Sequence, residues 1–422
     1  MTLRVLHLGS SDIRGGAARG AYWLHRALLK GGIGSHMLVD RKFTDDQTVT
    51  APANGNVVVR RLRAIAERAP LIPYRTTDES FWSTNWVPSA IPRAVRRIAP
   101  DIVHVHWGGG GFLPIGALAQ FGCPVVWTLR DMWPFTGGCH YTAGCDRYET
   151  ACGACPQLRS AAERDLSRQI FDRKRRAWRD VPLWPVPISH WLAERAQASP
   201  LLGRYPLEVI PNGVDTGLFH PPDPHAARID WNLPADRRLI LFGALNATRD
   251  SRKGYAQLRD ALRALAAGGL LDRHMLVVFG ADRIENAADL GIEVRAVGHI
   301  EDDRRLAALY GAADVMVAPS LQEAFGKTLI EAMACGTPVV AFAHGGPADI
   351  VAHGETGYLA RPFDANDLAA GIAWCLATTA RPAELGLRAR ARVERLYDID
   401  VVAARYADLY ARIGRRPARR AA

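Results

Sequence analysis

The sequence predicts an α/β protein built from two parallel-sheet domains. Three observations carry this prediction. Short β-branched runs alternate with helix-length amphipathic segments along most of the chain. Most runs are apolar at consecutive positions rather than at every second one, as strands buried on both faces are. The series occurs twice, and the two halves are separated near residue 215 by turn chemistry, Pro211 followed by Asn212-Gly213.

In the first half the predicted strands are Val5–Leu8, Ile102–Val105, Val125–Leu129 and Val186–Ile188. In the second they are Leu239–Phe242, Met275–Phe279, Val294–Val297, Val315–Val317 and Val339–Ala341. Helical patterns fall between them at Ala17–Lys30, Tyr255–Leu265, Asp303–Ala312 and Asp367–Ala377, and a last amphipathic helix is expected over Tyr397–Ile413. The expected domains are residues 1–215 and 216–396, with 397–422 forming the final helix and a basic tail.

Composition narrows the function. The 422 residues are 48% apolar and 23% charged, enough for two or three domain cores. This excludes whole-chain disorder, and seven Cys are too sparse for a small disulfide scaffold. The formal charge of +10 favours anionic partners: a nucleotide, a phosphate or an acidic membrane surface. The basic residues are scattered rather than grouped with aromatics, so nucleic acid is not an expected partner. No run reaches the roughly 18 apolar residues of a spanning helix. The N-terminus reads as a strand leading straight to Gly9-Ser10, not as a secretory leader. A reducing, cytoplasmic setting is therefore expected. The segment Val57–Arg68 has a basic amphipathic pattern that reads first as an ordinary solvated helix and alternatively as a peripheral contact with an anionic inner leaflet.

The loop after the first strand contains Arg14-Gly15-Gly16-Ala17-Ala18, whose glycine pair permits close backbone approach to an anion at a helix start or simply a tight turn. No G-x-G-x-x-G fingerprint is present, so hydride transfer is not expected. His104-Val105-His106-Trp107 and Arg130-Asp131 fall at strand ends, which makes His106 and Asp131 candidate active-site residues. Cys139, Cys145, Cys152 and Cys155 lie within about residues 136–158, and the last two form a C-x2-C pair. Four such thiols suit a structural zinc site, with four reduced thiols in a Gly-rich loop as the alternative. A tetrathiolate site leaves no open position, so no catalytic metal is expected there. Cys123, Cys335 and Cys375 read as core residues.

The most informative segment runs Pro319-Ser320-Leu321-Gln322-Glu323-Ala324-Phe325-Gly326-Lys327-Thr328-Leu329-Ile330-Glu331 and on to Gly336-Thr337-Pro338. It follows one predicted strand and precedes another, so a helix lies within it. Glu323 falls in the loop at a strand's carboxyl end, and eight residues of helix would carry Glu331 up to roughly 12 Å away. Amides at the helix start are free to meet hydroxyls or phosphates.

This string resembles the E-x7-E motif of retaining glycosyltransferases of family 4, which have the GT-B fold. The likeness extends to Arg252-Lys253-Gly254, Asn212-Gly213-Val214-Asp215 and Ala343-His344-Gly345-Gly346-Pro347. A subset of that family carries a similar Trp-Pro-Phe-Thr-Gly-Gly-Cys-His-Tyr block near the acceptor cleft. The resemblance implies two Rossmann-like domains facing a cleft, with the last helix crossing back to the first domain. It implies transfer of a hexose-type sugar from a nucleotide diphosphate-sugar to a glycan or lipid-linked acceptor, without a catalytic metal. By the same likeness Glu323 with Ala324, Phe325, Gly326, Lys327 and Thr328 would hold the donor sugar, and Glu331 the ribose. Lys253, with Arg252, would neutralise the diphosphate, and Gly15 and Gly16 would face it. The chain departs from the family at two places. Arg130 stands where the family's His precedes the Asp, and Ala244 where an Arg is expected, with Arg249 or Arg252 as substitutes. Asp398-Ile399-Asp400 matches a D-x-D metal pattern but precedes a helix and is read as its cap. A nucleotide-sugar epimerase and a non-catalytic nucleotide-sugar binder are alternatives that share the pattern.

Overall fold

The computed structural model describes residues 3–51, 57–76, 81–243 and 247–414. The chain forms two compact units. One comprises the residues up to Gly213 together with those from Val402 onward; the other is Val214–Val401.

In the first unit the strands are β1 (Arg4–Ser11), β2 (Gly34–Arg41), β3 (Val49–Thr50), β4 (Ile102–Trp107), β5 (Val125–Leu129) and β6 (Leu183–Pro187). They pair in parallel in the order β3-β2-β1-β4-β5-β6. The second unit has β7 (Arg238–Gly243), β8 (His274–Phe279), β9 (Glu293–Ala296), β10 (Val315–Ala318), β11 (Val339–Phe342) and β12 (Gly357–Ala360). Their order, β12-β11-β10-β7-β8-β9, is the same topology, again all parallel. Each sheet reverses its winding once, between β1 and β4 and between β7 and β10. In open α/β sheets ligands bind outside the carboxyl ends of the strands at such a point.

Consecutive apolar residues produce these strands because both sheet faces are covered. Every residue of β10 and β11 is buried. On one face Ile240, Phe242, Val278 and Val340 pack with Leu258 and Leu262 of the helix Tyr255–Ala267 and with Leu368 and Ile372 of the helix Ala365–Cys375. Each such aliphatic chain contributes about 1.5–3 kcal/mol by leaving water, which offsets the ordering of the backbone.

Three strands escaped the sequence pattern. β2 is interrupted by Ser35, His36 and Asp40, β3 has two residues, and β12 begins at a glycine. The run expected at Val186–Ile188 only overlaps the end of β6, Leu183–Pro187; the strand tolerates Pro185 and Pro187 because it is at the sheet edge. Cys335 and Cys375 are buried as expected, whereas Cys123 is only partly buried. The last helix spans Ile399–Gly414, and Asp398 accepts the Asp400 amide at its start, 2.8 Å away. Within the first unit its Tyr410 hydroxyl meets His104 Nδ1 at 2.6 Å and its Tyr406 hydroxyl meets Thr128 Oγ1 at 2.7 Å. Ala244 and the basic tail beyond residue 414 lie outside the described residues. Among the described residues no helix is long and apolar enough to cross a membrane.

Candidate functional site

In the second unit Lys253 follows β7 and Glu323 follows β10, the two strands that flank the switch point. The loops are held together by backbone. Gly254 has φ 72°, and a Cβ there would lie 1.8 Å from the Pro319 carbonyl oxygen, so only glycine lets the two loops approach. The Leu321 amide donates to the Arg252 carbonyl at 2.7 Å. Lys253 Nζ consequently lies 2.7 Å from Glu323 Oε2, with both side chains about one-fifth exposed. Burial opposes charge on Glu323, but Lys253 and the Phe325 amide outweigh it and hold the carboxyl below its usual range. Arg252 turns instead to Asp250, at 2.7 Å.

The Gly345-Gly346 turn supports the same loop. Side chains there would collide with the backbone of Glu323 and Phe325, and the Gly346 amide donates to the Glu323 carbonyl at 2.9 Å. Ala324 and Phe325 are buried behind it. Gly326, at φ 105°, starts the helix Lys327–Ala334, which no side chain caps. The eight-residue spacing is therefore not helical throughout: Glu323 lies in the loop, and the helix begins at Lys327. Thr328 is partly buried in its first turn, and Glu331 is almost fully buried. One Glu331 oxygen pairs with Lys327 Nζ at 2.9 Å, and the other accepts from the Tyr310 hydroxyl at 3.0 Å.

The first unit holds its site residues differently. Arg130 donates to Asn212 Oδ1 at 2.6 Å and to His106 Nδ1 at 3.1 Å. A guanidinium can only donate, so a neutral His106 carries its proton on Nε2 and donates a hydrogen bond from it to His7 Nδ1, 2.8 Å away. His7 must then bear its own proton on Nε2, which is buried with no partner. His104 completes the stack, bonded to Tyr410 and Thr128. Burial, helped by Arg130 and the neighbouring imidazoles, keeps His7 and His106 well below their usual pKa; burial and Arg130 do the same to His104. Ligand atoms of these three histidines lie within 4.8 Å of one another. The adjacent Arg130 cation and the engaged nitrogens of His104 and His106 make them a hydrogen-bonded stack rather than a cation site.

Asp131 is a hub. Its Oδ2 accepts from His140 Nδ1 at 2.7 Å and Trp107 Nε1 at 2.9 Å, and its Oδ1 accepts from the Trp133 amide at 2.9 Å. Burial opposes its charge, yet His140 and the other donors hold the carboxyl below its usual range. His140 Nε2 in turn accepts from Ser83 Oγ, 2.8 Å away, and Ser83 Oγ accepts from the Gly110 amide at 2.8 Å. The order resembles a nucleophilic triad. Ser83 and His140 are 1% and 2% exposed, however, and the cavity beside His140 is only about 10 Å³. The chain of bonds clamps the loop onto the ends of β4 and β5. The sequence reading missed His140, Ser83 and Tyr310. His140 stands in a quoted block, but its serine lies 57 residues away and no local spacing points to it.

Gly15 and Gly16 are exposed at the start of the helix Gly16–Lys30, and Gly15 has φ 92°, which requires glycine. The four clustered cysteines are reduced and line one small cavity.

Residues 14–218 match the family Glycosyltransferase Family 4, and residues 226–392 match Glycosyl transferases group 1. Both halves of the chain are thus similar to glycosyltransferases of the family-4-like group. Over 297 residues it is 32% identical to a D-inositol 3-phosphate glycosyltransferase of Mycobacterium tuberculosis, a match covering 67% of this chain and 55% of that protein. The chain thus spans about half the length of the curated relatives it matches. Its fold is similar to that of sucrose-phosphate synthase from Thermosynechococcus elongatus, with TM-score 0.69, 23% identity and coverage of 97% and 98% of the two chains. It is also similar to Anabaena HepE, solved in complex with UDP-glucose, with TM-score 0.63, 17% identity and coverage of 97% and 100%. At such identities the likeness is one of fold, and that fold is GT-B.

Proposed function

We propose that this chain is a retaining glycosyltransferase that moves a hexose-type sugar from a nucleotide diphosphate-sugar to a glycan or lipid-linked acceptor in bacterial polysaccharide assembly, of the exopolysaccharide or lipopolysaccharide kind. The observation that carries the reading is the Lys253–Glu323 pair at the switch point of the second sheet. A carboxylate and an ammonium held side by side can exchange partners when a donor arrives. Lys253 turns to the diphosphate, whose negative charge grows as the anomeric bond breaks, and Glu323 accepts from sugar hydroxyls. Arg252 adds positive charge once it leaves Asp250. No metal is required for this stabilisation. The nucleotide-sugar bound by the similar Anabaena protein supports the same donor class.

The Gly15-Gly16 helix start is the second anion-facing element. His106 and Asp131 act by position: the first orients Arg130, and the second secures the loop beside it. Leu62 and Ile65, both exposed and flanked by exposed Arg61 and Arg68, favour peripheral contact with an anionic leaflet on the acceptor side.

The test is a thermal-shift screen of nucleotide-sugars, followed by detection of free nucleoside diphosphate with glycan and lipid-linked acceptors. Acceptor-dependent release is expected, with anomeric configuration retained in the product, and Glu323→Gln lowering turnover about 100-fold while the fold persists. Turnover unchanged in Glu323→Gln contradicts the reading.

A further inference from the structure

We infer that Cys139, Cys145, Cys152 and Cys155 ligate a structural zinc ion that staples the loop carrying His140. The inference is independent of the proposed sugar transfer and rests on the construction of the loop.

All four thiols line a single cavity of about 20 Å³. That volume admits one water-sized occupant and no organic ligand. The loop is wound tightly around it. A Cβ at Gly137 would lie 2.4 Å from the Ser167 carbonyl oxygen and 3.0 Å from Cys152 Cβ, and one at Gly153 would lie 2.3 Å from the Glu163 carbonyl oxygen. Cys152, Gly153 and Ala154 all have positive φ, which bends the C-x2-C turn around the cavity that Cys152 and Cys155 line. Two of these are not glycine, so the turn is strained by about 1 kcal/mol or more at each position. Something must hold it. The Cys155 amide donates to Asp165 Oδ2 at 2.8 Å and the Gly153 amide to Ser167 Oγ at 2.9 Å, which anchors the turn to the helix Leu166–Ala177.

The electrostatics point the same way. Lys174, fully buried, donates to the Thr136 carbonyl at 3.0 Å and to that of Trp133, with its ammonium 3.6 Å from the Trp133 ring. This buried ammonium, held against the Thr136 carbonyl at the start of the loop that carries Cys139, offsets part of the double negative charge of a zinc tetrathiolate. Soft thiolate donors in a closed tetrahedral set select zinc over magnesium or calcium. The sulfurs surround the cavity without being drawn together. Among the described residues the three-atom groups within 4.8 Å comprise only the histidine stack. Closing them on an ion requires χ1 adjustments of unbranched side chains.

The full chain, purified under reducing conditions without chelator and reconstituted with zinc, is expected to hold one zinc per molecule by elemental analysis. Cys152→Ser/Cys155→Ser is expected to lose it, and Cys123→Ser to keep it. Cobalt in place of zinc should give thiolate charge-transfer absorption and tetrahedral visible bands. This spectrum on the unaltered chain and on Cys145→Ser decides the matter if the double variant fails to fold. Zinc well below one equivalent in the folded chain, zinc kept by the double variant, or disulfides among these four cysteines in a peptide map would each overturn the assignment.

Discussion

The two units share one strand order and place candidate residues at the same switch point, yet they hold charge there in opposite ways. In the second unit each acid has a cationic partner: Lys253 beside Glu323, and Lys327 beside Glu331. In the first, the Arg130 cation is embedded among neutral histidines, and the nearby acid, Asp131, is occupied by His140, Trp107 and a backbone amide. Paired opposite charges can be released to a charged ligand. A cation fixed by neutral acceptors is a rigid support whose strength depends on pH.

Acid separates the two units most. The buried imidazoles of His7, His104 and His106 are neutral in the fold, whereas an exposed imidazole titrates near 6.5. Their folded pKa values are depressed, so the stability they allow is complete above pH ~6.5 and is lost as pH falls below it. Between pH 6.5 and 5 the loss is about 2 kcal/mol for each ring. Glu323 behaves otherwise. Its pKa is also depressed, but as a carboxyl it gives way only below about pH 4.5. Hydrogen exchange at pH 5 is expected to show opening of the first sheet while the second stays protected; equal opening of both would remove the distinction.

Next in size is Lys327→Met, which leaves Glu331 buried with only Tyr310. A stability loss of about 3 kcal/mol is expected in denaturant unfolding, largely recovered in Lys327→Met/Glu331→Leu. A neutral single variant would mean that Glu331 is not a paired buried charge. His140→Ala should cost about 2 kcal/mol by removing a donor from Asp131 and an acceptor from Ser83, read as a shift in the urea midpoint. Smallest is Arg252→Ala: its pair with Asp250 is partly exposed, and less than about 1 kcal/mol is expected from the same measurement.

The difference between the units also explains how much the sequence revealed. The second site is spelled in two short strings, because a strand, its loop and the following helix are contiguous and their glycines mark where backbones touch: Gly254 against Pro319, and Gly346 against Phe325. Both sheets were legible from runs such as Val339–Ala341, whose two faces are buried. The first site was not legible. Ser83, Trp107, Asp131 and His140 come from separate segments joined by hydrogen bonds rather than by spacing. His106, singled out as an active-site candidate, is a buried support for Arg130. Strand β2 was hidden by the polar Ser35 and His36, which bond His25 Nδ1 and Thr50 Oγ1 respectively.

Glu323 is the residue on which the account turns, and calorimetry tests it most directly. The affinities of a nucleotide-sugar selected in the thermal screen and of its nucleoside diphosphate are compared in the unaltered chain and in Glu323→Gln. The account predicts that the variant keeps its affinity for the diphosphate and loses the extra affinity contributed by the sugar. An undiminished sugar contribution in Glu323→Gln would contradict it.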